Sequence, residues 1–299
     1  TAYKQLVEGL ALGRPVLVYC APLAATHLAW AGTYGMYVTV VQGIDEEQEL
    51  ALLSDCAPDT FTIPLDELAQ YRSRVCSHKF RSLTFTPPAR LSESALKSAV
   101  VAGIQACADD FARPTLQTYG LPGLSEWAKV ITNTKSQRGW PRMYKGGLLY
   151  VVLRDVFDSI ETAGTGGGLY RLMYADFLDE AADVARRPAW RSCAERYREL
   201  ASRWTELAEA ALPSRLKPFK ETKQLLRKRR DLWVTKGTKA ARQIGEATAR
   251  LKAIEAEQRE KFPLSEDDRL ALLETLRTRI VSLHAAEVEA AAHLCKAAV

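Results

Sequence analysis

Apolar residues recur with two different spacings along the chain. In the first 86 residues, short β-rich runs predict strands at 15–20, 37–42, 49–54 and near 79–85, with short helices over 4–12 and 64–74. From residue 92 onward, apolar positions three and four residues apart predict helices over 92–111, 124–133, 142–162, 168–186 and 189–212, then two or three long segments. The pattern therefore predicts an α+β protein.

The dipeptide Pro87-Pro88 separates the two patterns. We expect a small β-containing lobe over residues 1–88 and a mainly helical domain over 89–299. A lobe with only three clear strands would expose a sheet edge and an apolar face, and both features attract a second chain. The alternative is a single-chain protein with a shrunken lobe.

Positive charge is concentrated in residues 214–261, which hold fifteen Lys or Arg and six Asp or Glu, a surplus of nine. The net charge of the whole chain is +5, so the remainder carries about −4. Four cations at 227–230 with Trp233 close behind could bind nucleic acid. Helical periodicity and interleaved acidic residues favour a solvated helical segment instead, so we do not expect a nucleic-acid partner.

The composition excludes several other classes. No apolar run approaches the roughly 18 residues of a membrane span, so we expect no membrane partner. Six cysteines without Cys-x-x-Cys spacing fit a reducing cytoplasm, and no histidines have metal-ligand spacing. We therefore predict a cytoplasmic protein that uses neither a metal nor a cofactor.

Four of the five residues at 164–168 are glycine, and a helix with an apolar face follows directly. Glycine permits positive φ, and the unpaired N–H groups at a helix start can hold an anion or a carbonyl oxygen. The candidate binding residues here are Gly166, Gly167, Gly168, Tyr170 and Arg171, with Tyr174 as a catalytic candidate. The alternative is an interhelical turn whose glycines only permit close packing.

A polar loop at 133–145 leads into the helix before the glycines. Lys135, Trp140 and Arg142 would line an anion-binding cleft if that helix packs against the helix that starts at 168. An amine could be held there by Asp55, Glu161 or Asp176. His27, in the loop after the first strand, could turn into the cleft as a base.

Residues 160–182, which surround the glycines, resemble the signature of the BtrH-like family of butirosin biosynthesis, in its C-terminal helical domain. Residues 13–18 and 37–45 are similar to strands of that family's papain-like half, and 53–55 to the following strand end. The resemblance covers most of the chain. It implies a partial papain-like lobe and an acyltransferase that moves an amino-acyl group from a carrier protein.

The catalytic residues of that family are mostly missing. Its nucleophilic Cys belongs to a segment that would precede Thr1, no His stands at 35–37, and only Asp55 is in place. A thiol nucleophile needs an imidazole within hydrogen-bond reach, so we do not expect Cys20 to be a nucleophile. The departures imply that a small partner subunit completes the N-terminal lobe.

Three hypotheses follow. The first is a subunit of a heteromeric secondary-metabolite enzyme acting on a carrier-tethered amino-acid intermediate. Its sharpest form is inferred from the missing Cys–His pair and the incomplete lobe: an amine displaces a neighbouring sulfate, as in the two-component aziridine-forming enzymes of azinomycin-type biosynthesis. The second is an acyltransferase whose Cys and His come from a partner chain, and the third is a non-catalytic scaffold or carrier-docking module. An acidic carrier protein is the partner that the basic segment 214–261 would attract.

Overall fold

The computed structural model describes residues 1–21, 37–55, 57–75, 79–86, 90–164 and 166–298. The protein is α+β, as the sequence predicts: a five-stranded antiparallel sheet in the N-terminal part is followed by a mainly helical region. The chain divides into two compact units. The first comprises Thr1–Ala89 and Lys228–Arg250, and the second comprises Arg90–Arg227 and Leu251–Val299.

The sheet of the first unit has the strand order β4-β3-β2-β1-β5, and every neighbouring pair is antiparallel. The strands are β1 Val16–Cys20, β2 Tyr37–Asp45, β3 Leu50–Ser54, β4 Phe61–Pro64 and β5 Ser82–Leu83. The sequence pattern missed β4, because this four-residue strand offers only Phe61 and Ile63 as buried alternating positions.

Helices α1 (Ala2–Ala11) and α2 (Leu65–Ser73) and the segment around Trp233 pack on one face of the sheet. Val16, Val18 and Leu53 on this face are almost fully buried beneath them. The ring of Trp233 contacts Phe61 edge-on, with centroids 5.7 Å apart. Segment 228–250, which the sequence pattern places in the helical domain, therefore belongs to the core of the first unit.

Nine helices follow among the described residues from Glu93 onward. They are α3 Glu93–Ala112, α4 Gly120–Val130, α5 Trp140–Met143, α6 Gly147–Glu161, α7 Arg171–Ala185, α8 Ala189–Ala211, α9 Lys217–Lys236, α10 Ala241–Glu260 and α11 Glu266–Ala298. The single helix predicted over 142–162 is two helices, because Gly146 adopts φ +56° and interrupts the right-handed turn.

The core of the second unit is built around α7, α8 and α11. Phe157, Leu178 and Trp190 are fully buried in it. The indole N–H of Trp190 donates a 3.1 Å hydrogen bond to the carbonyl of Ala297 near the end of α11. Together with α3, these helices surround the cavity described next.

Candidate functional site

The glycine loop has an unusual backbone. From Gly166 to Tyr170, five consecutive residues have φ between +49° and +88°. Glycine adopts this left-handed region freely, whereas Leu169 and Tyr170 carry side chains that make it costly. The loop passes through a 3-10 turn at Gly168–Tyr170 and then enters α7 at Arg171.

The side-chain carboxylate of Glu161 binds to the backbone of the glycine loop. The N–H of Gly168 donates to Glu161 Oε1 at 3.2 Å, and the Thr205 hydroxyl donates to the same oxygen at 2.7 Å. A Cβ at Gly168 would lie 2.7 Å from the Cβ of Ala201. At Gly168 the geometry therefore matches the close-packing alternative, and Glu161 is engaged rather than open to a substrate amine.

A cavity of about 190 Å³ lies beside the start of α7. Its lining comes from α3, the start of α7, α8 and α11, and from Tyr170 at the end of the glycine loop. The lining residues are Cys107, Phe111, Tyr170, Arg171, Tyr174, Tyr197 and Glu287. The structure thus brings together Tyr170, Arg171 and Tyr174, while Gly166, Gly167 and Gly168 are not part of the lining.

An ion pair crosses the inner side of the cavity. Arg171 Nε donates to Glu287 Oε1 at 2.8 Å, and Arg171 Nη1 donates to the carbonyl of Leu169 at 3.1 Å. The Trp204 indole N–H donates to the same Glu287 Oε1 at 2.7 Å. The guanidinium also lies 5.1 Å from the ring centroid of Phe111. Arg171 is therefore held in place, with its side chain only 15% exposed.

Two polar atoms of the lining lack strong partners. Glu287 is 0% exposed, and its Oε2 makes no hydrogen bond among the described residues. The hydroxyl of Tyr174 is also buried without a nitrogen or oxygen partner in that part of the chain, and its polar neighbour is the weakly bonding thiol of Cys107. An unsatisfied buried polar group costs about 1–3 kcal/mol, more when it is charged. Both atoms therefore favour a bound polar group.

Two tyrosines of the cavity, Tyr174 and Tyr197, are held as neutral phenols. Burial raises the pKa of Tyr174 far above its ordinary value, and Cys107 and Tyr197 add to the shift. Burial likewise raises the pKa of Tyr197, with the Glu287 carboxylate reinforcing the shift and Arg171 opposing it. The two rings meet edge-on with centroids 4.7 Å apart. Each hydroxyl therefore keeps its proton at neutral pH.

The polar loop at 133–145 does not reach this cavity. Arg142 and Lys135 are exposed, and Arg142 Nη1 donates to the Lys135 carbonyl at 2.9 Å. Trp140 is buried in the core of the second unit, with its ring edge-on to Tyr144 at 5.4 Å. The prediction that Lys135, Trp140 and Arg142 form a cleft with Arg171 is therefore wrong. The Arg142 side chain bonds to the backbone of its own loop, and Trp140 packs into the core.

The expected amine-holding carboxylates also lie elsewhere. Asp176 points outward from α7, 73% exposed, and accepts a 3.0 Å hydrogen bond from Arg198. Asp55 follows β3 in the first unit, near the thiol of Cys20. Neither carboxylate lines the cavity. His27 lies outside the residues that the structure describes.

Cys20 is unsuited to nucleophilic chemistry in the folded protein. Its side chain is 2% exposed. Burial raises the pKa of the Cys20 thiol to about 12, with Arg72 lowering it and Asp55 raising it further. The thiol is therefore protonated at neutral pH, in line with the expectation from the sequence.

Sequence reasoning missed Cys107, Phe111, Tyr197 and above all Glu287. A signal for Glu287 exists in the sequence. It lies at helical spacing within an apolar stripe of the last helix that includes Ile280, Leu283 and Leu294, all buried. A single carboxylate on a core-facing stripe indicates a paired or functional charge.

A family model, the domain of unknown function DUF4872, matches residues 66–260. The match covers 195 of the chain's 299 residues. The protein belongs to the DUF4872 family. All the cavity residues except Glu287 lie within the DUF4872 match. No curated protein matches the chain.

The helices and the potential metal ligands were compared with what a membrane span and a metal centre require. Among the described residues, no helix combines the length and apolarity needed to cross a membrane. Within the same ranges, no three His, Cys, Asp or Glu side chains converge as metal ligands would.

Proposed function

We propose that this DUF4872 protein is a subunit of a secondary-metabolite biosynthetic enzyme that acts on a carrier-protein-tethered amino-acid intermediate. The reaction that suits it best is closure of an aziridine by intramolecular displacement of sulfate. The proposal combines the resemblance to the BtrH-like family, the absence of that family's catalytic His at residues 35–37, and one structural observation. That observation is a small cavity that joins Tyr170, Arg171 and Tyr174 to a buried carboxylate.

The cavity has the dimensions of a single small group. At about 190 Å³ it is below the range of roughly 300–1,000 Å³ typical of sites for drug-sized ligands. A carrier-tethered substrate presents such a group at the end of a long arm. Tyr170, 48% exposed, lies on the solvent side of the cavity, where such an arm would enter.

The proposed chemistry needs no enzymic nucleophile. The nitrogen of the substrate amine forms a bond to the neighbouring carbon, the carbon–oxygen bond to sulfate breaks, and sulfate leaves with the electron pair. One proton passes from nitrogen to a base. Arg171 has five N–H groups, and the bonds to Glu287 and Leu169 use two of them. The remaining groups suit the negative charge that develops on the departing sulfate.

Exposed surfaces of both units suit the proposed partners. Arg215, Lys217 and Lys220 are exposed and make no ion pair with any described residue, so they could attract an acidic carrier protein. In the first unit, Val38 and Leu83 are 39% and 40% exposed, which offers apolar surface to a small partner subunit.

Acyl transfer is the second candidate, because the thiol of Cys107 also lines the cavity. No His is among the described lining residues, so the imidazole would have to come from a partner chain. Acyl transfer predicts a covalent acyl adduct on a cysteine, whereas aziridine closure predicts no covalent adduct.

Intact-mass analysis of the carrier protein tests the proposal. The protein, with and without the product of the neighbouring gene, is incubated with a carrier loaded with a sulfated diamino acid. Aziridine closure lowers the mass of the loaded carrier by that of sulfuric acid. Loss of the whole acyl group indicates acyl transfer. Carrier binding without any mass change would overturn the proposal in favour of a docking module.

A further inference from the structure

We propose that the cavity binds the primary amino group of the substrate as the uncharged amine, whose two N–H groups donate to Glu287 Oε2 and Tyr174 Oη. The inference rests on the proposed function, because it assigns the groups that hold the reacting amine. It replaces Asp55 and Asp176, the carboxylates that the sequence suggested for this role.

The two oxygens of the Glu287 carboxylate are bonded unequally. Trp204 and Arg171 both donate to Oε1 of Glu287, whereas Oε2 is buried and receives no donor from the part of the chain that the structure describes. Buried polar groups in folded proteins are almost always hydrogen-bonded. A fully buried carboxylate oxygen on the wall of a cavity therefore marks the place of a missing donor.

The second acceptor favours a ligand with two donors, one for each oxygen. The Tyr174 hydroxyl proton can point to the neighbouring Cys107 thiol, which leaves its oxygen to accept. A primary amine has two N–H groups and can donate to both oxygens at once. A hydroxyl has one proton and can donate to only one of them.

The charge of the site favours the neutral form of the amine. The guanidinium of Arg171 already balances the Glu287 carboxylate, so an ammonium that enters without an anion of its own would leave the cavity with a net positive charge. Aromatic walls and burial further disfavour an ion that lacks a counter-charge. The titratable groups that face the cavity, from α3, the start of α7, α8 and α11, are Cys107, Tyr170, Arg171, Tyr174, Tyr197 and Glu287.

This arrangement leaves the nitrogen lone pair free. Both hydrogen bonds use N–H groups, so the lone pair can face the carbon that carries the leaving group. A nucleophilic amine must be deprotonated and aligned. The charge of the site favours the deprotonated form, and the two acceptors fix its orientation.

Ligand-observed NMR saturation transfer with three amide probes tests the inference. The probes are the N,N-dimethylamides of alanine and of lactic acid, called alaninamide and lactamide below, and the trimethylammonium derivative of the first. Their amide groups carry no N–H that could replace the amine. Their affinities for the whole protein are compared between pH 6 and pH 9, on either side of the α-amino pKa of about 8. We expect the alaninamide affinity to rise about tenfold per pH unit below that pKa and then to level off. Lactamide should bind at least about threefold more weakly, because one hydrogen bond is lost.

Two substitutions assign the binding to the named atoms. Tyr174→Phe removes only the hydroxyl and should weaken alaninamide binding about three- to tenfold. Glu287→Gln should weaken it at least about tenfold. Matched controls are Glu289→Gln, an exposed position on the same helix, and Tyr119→Phe, an exposed tyrosine, and both should bind as the wild type does. If Glu287→Gln does not fold, Tyr174→Phe decides the question.

Three outcomes would overturn the inference. They are alaninamide affinity that falls with rising pH, equal binding of the trimethylammonium probe, and wild-type binding by Tyr174→Phe. Absence of alaninamide binding to the wild type would also overturn it. If the protein still converts the carrier-bound substrate, any of these results contradicts the amine site but leaves the proposed function intact. Probe binding as expected without carrier turnover contradicts only the proposed function.

Discussion

Arg171 Nε lies 2.8 Å from Oε1 of Glu287, a residue 116 positions further along the chain. The contact joins the first residue of α7 to the middle of α11, and it buries a charge of each sign. Trp204 on α8 completes the group by donating to the same oxygen. The wall of the cavity is thus fixed by three helices, which makes Arg171 important for both stability and chemistry.

Replacement of Arg171 by Ala should therefore affect folding and turnover together. The change leaves the Glu287 carboxylate buried without its cation, which costs about 3–5 kcal/mol of unfolding free energy. Turnover of the carrier-bound substrate should fall about 10²-fold or more where the protein stays folded. Urea denaturation and intact-mass kinetics measure the two effects.

Arg277→Ala is the matched control, because Arg277 is an exposed arginine on α11 that pairs only with Glu274 among the described residues. It should change the unfolding free energy by less than about 1 kcal/mol. Wild-type turnover and stability in Arg171→Ala would show that the ion pair has neither role.

Gly168→Ala should be among the most damaging substitutions in the glycine loop. Gly168 combines φ +56° with a Cβ position 2.8 Å from the backbone of Ala201, so both strain and a clash are introduced. We expect a loss of about 2–5 kcal/mol in unfolding free energy. Gly164→Ala, with φ +80° but open space around the Cβ, should lose only about 1–2 kcal/mol. Equal losses for the two variants, measured by urea denaturation, would contradict the packing role of Gly168.

Local sequence patterns were sufficient for most of the fold. The strand at Val16–Cys20 and the helix at Ala189–Ala211 lie within a residue of the predicted ranges, because periodic burial determines both. The pattern could not indicate that Trp233 belongs with the sheet. That packing joins segments far apart in sequence, which no local period records.

The site was predictable only in part, for a related reason. Arg171 and Tyr174 closely follow a conspicuous glycine run, so local reasoning could propose them as candidates, and both line the cavity. Glu287 and Tyr197 reach the same cavity from α11 and α8, and only tertiary packing brings them there. Arg142 was misplaced because its polar neighbours suggested a cleft, whereas its side chain bonds to the backbone of its own loop.

Acid should destabilise the second unit partly through Glu209. Burial alone would raise the pKa of this carboxyl, but hydrogen bonds from Lys223 and Arg227 lower it below the ordinary value of 4.5. Its contribution to stability is therefore present above pH 4.5 and is lost as the pH falls through the folded-state pKa. Glu209→Gln should lose about 1 kcal/mol at pH 7, a figure kept small by solvent screening, and almost nothing at strongly acidic pH.

Urea denaturation of Glu209→Gln at several pH values measures this difference. Glu195→Gln, at an exposed position on the same helix α8, is the control and should follow the wild type throughout. A Glu209→Gln variant with the full acid sensitivity of the wild type would show that the ion pair with Lys223 and Arg227 does not contribute to it.

Alkylation of cysteines should separate the buried thiol from the cavity thiol. Cys20 is buried, and burial raises its pKa to about 12, so thiolate is almost absent at pH 7. Cys107 is exposed and lines the cavity. We expect iodoacetamide to modify Cys107 in the folded protein while Cys20 reacts only after denaturation, as peptide mass analysis can measure.

The same cysteines distinguish the two candidate reactions. If the mechanism has no enzymic nucleophile, Cys20→Ala and Cys107→Ser should keep most of the turnover, and no acyl adduct should accumulate on either thiol. The exposed Cys295 provides a labelling control, because Cys295→Ser should change neither turnover nor the labelling of Cys107. An adduct on Cys107 that disappears in Cys107→Ser together with activity would replace aziridine closure by acyl transfer, because displacement of sulfate by the substrate's own amine never bonds the substrate to the protein.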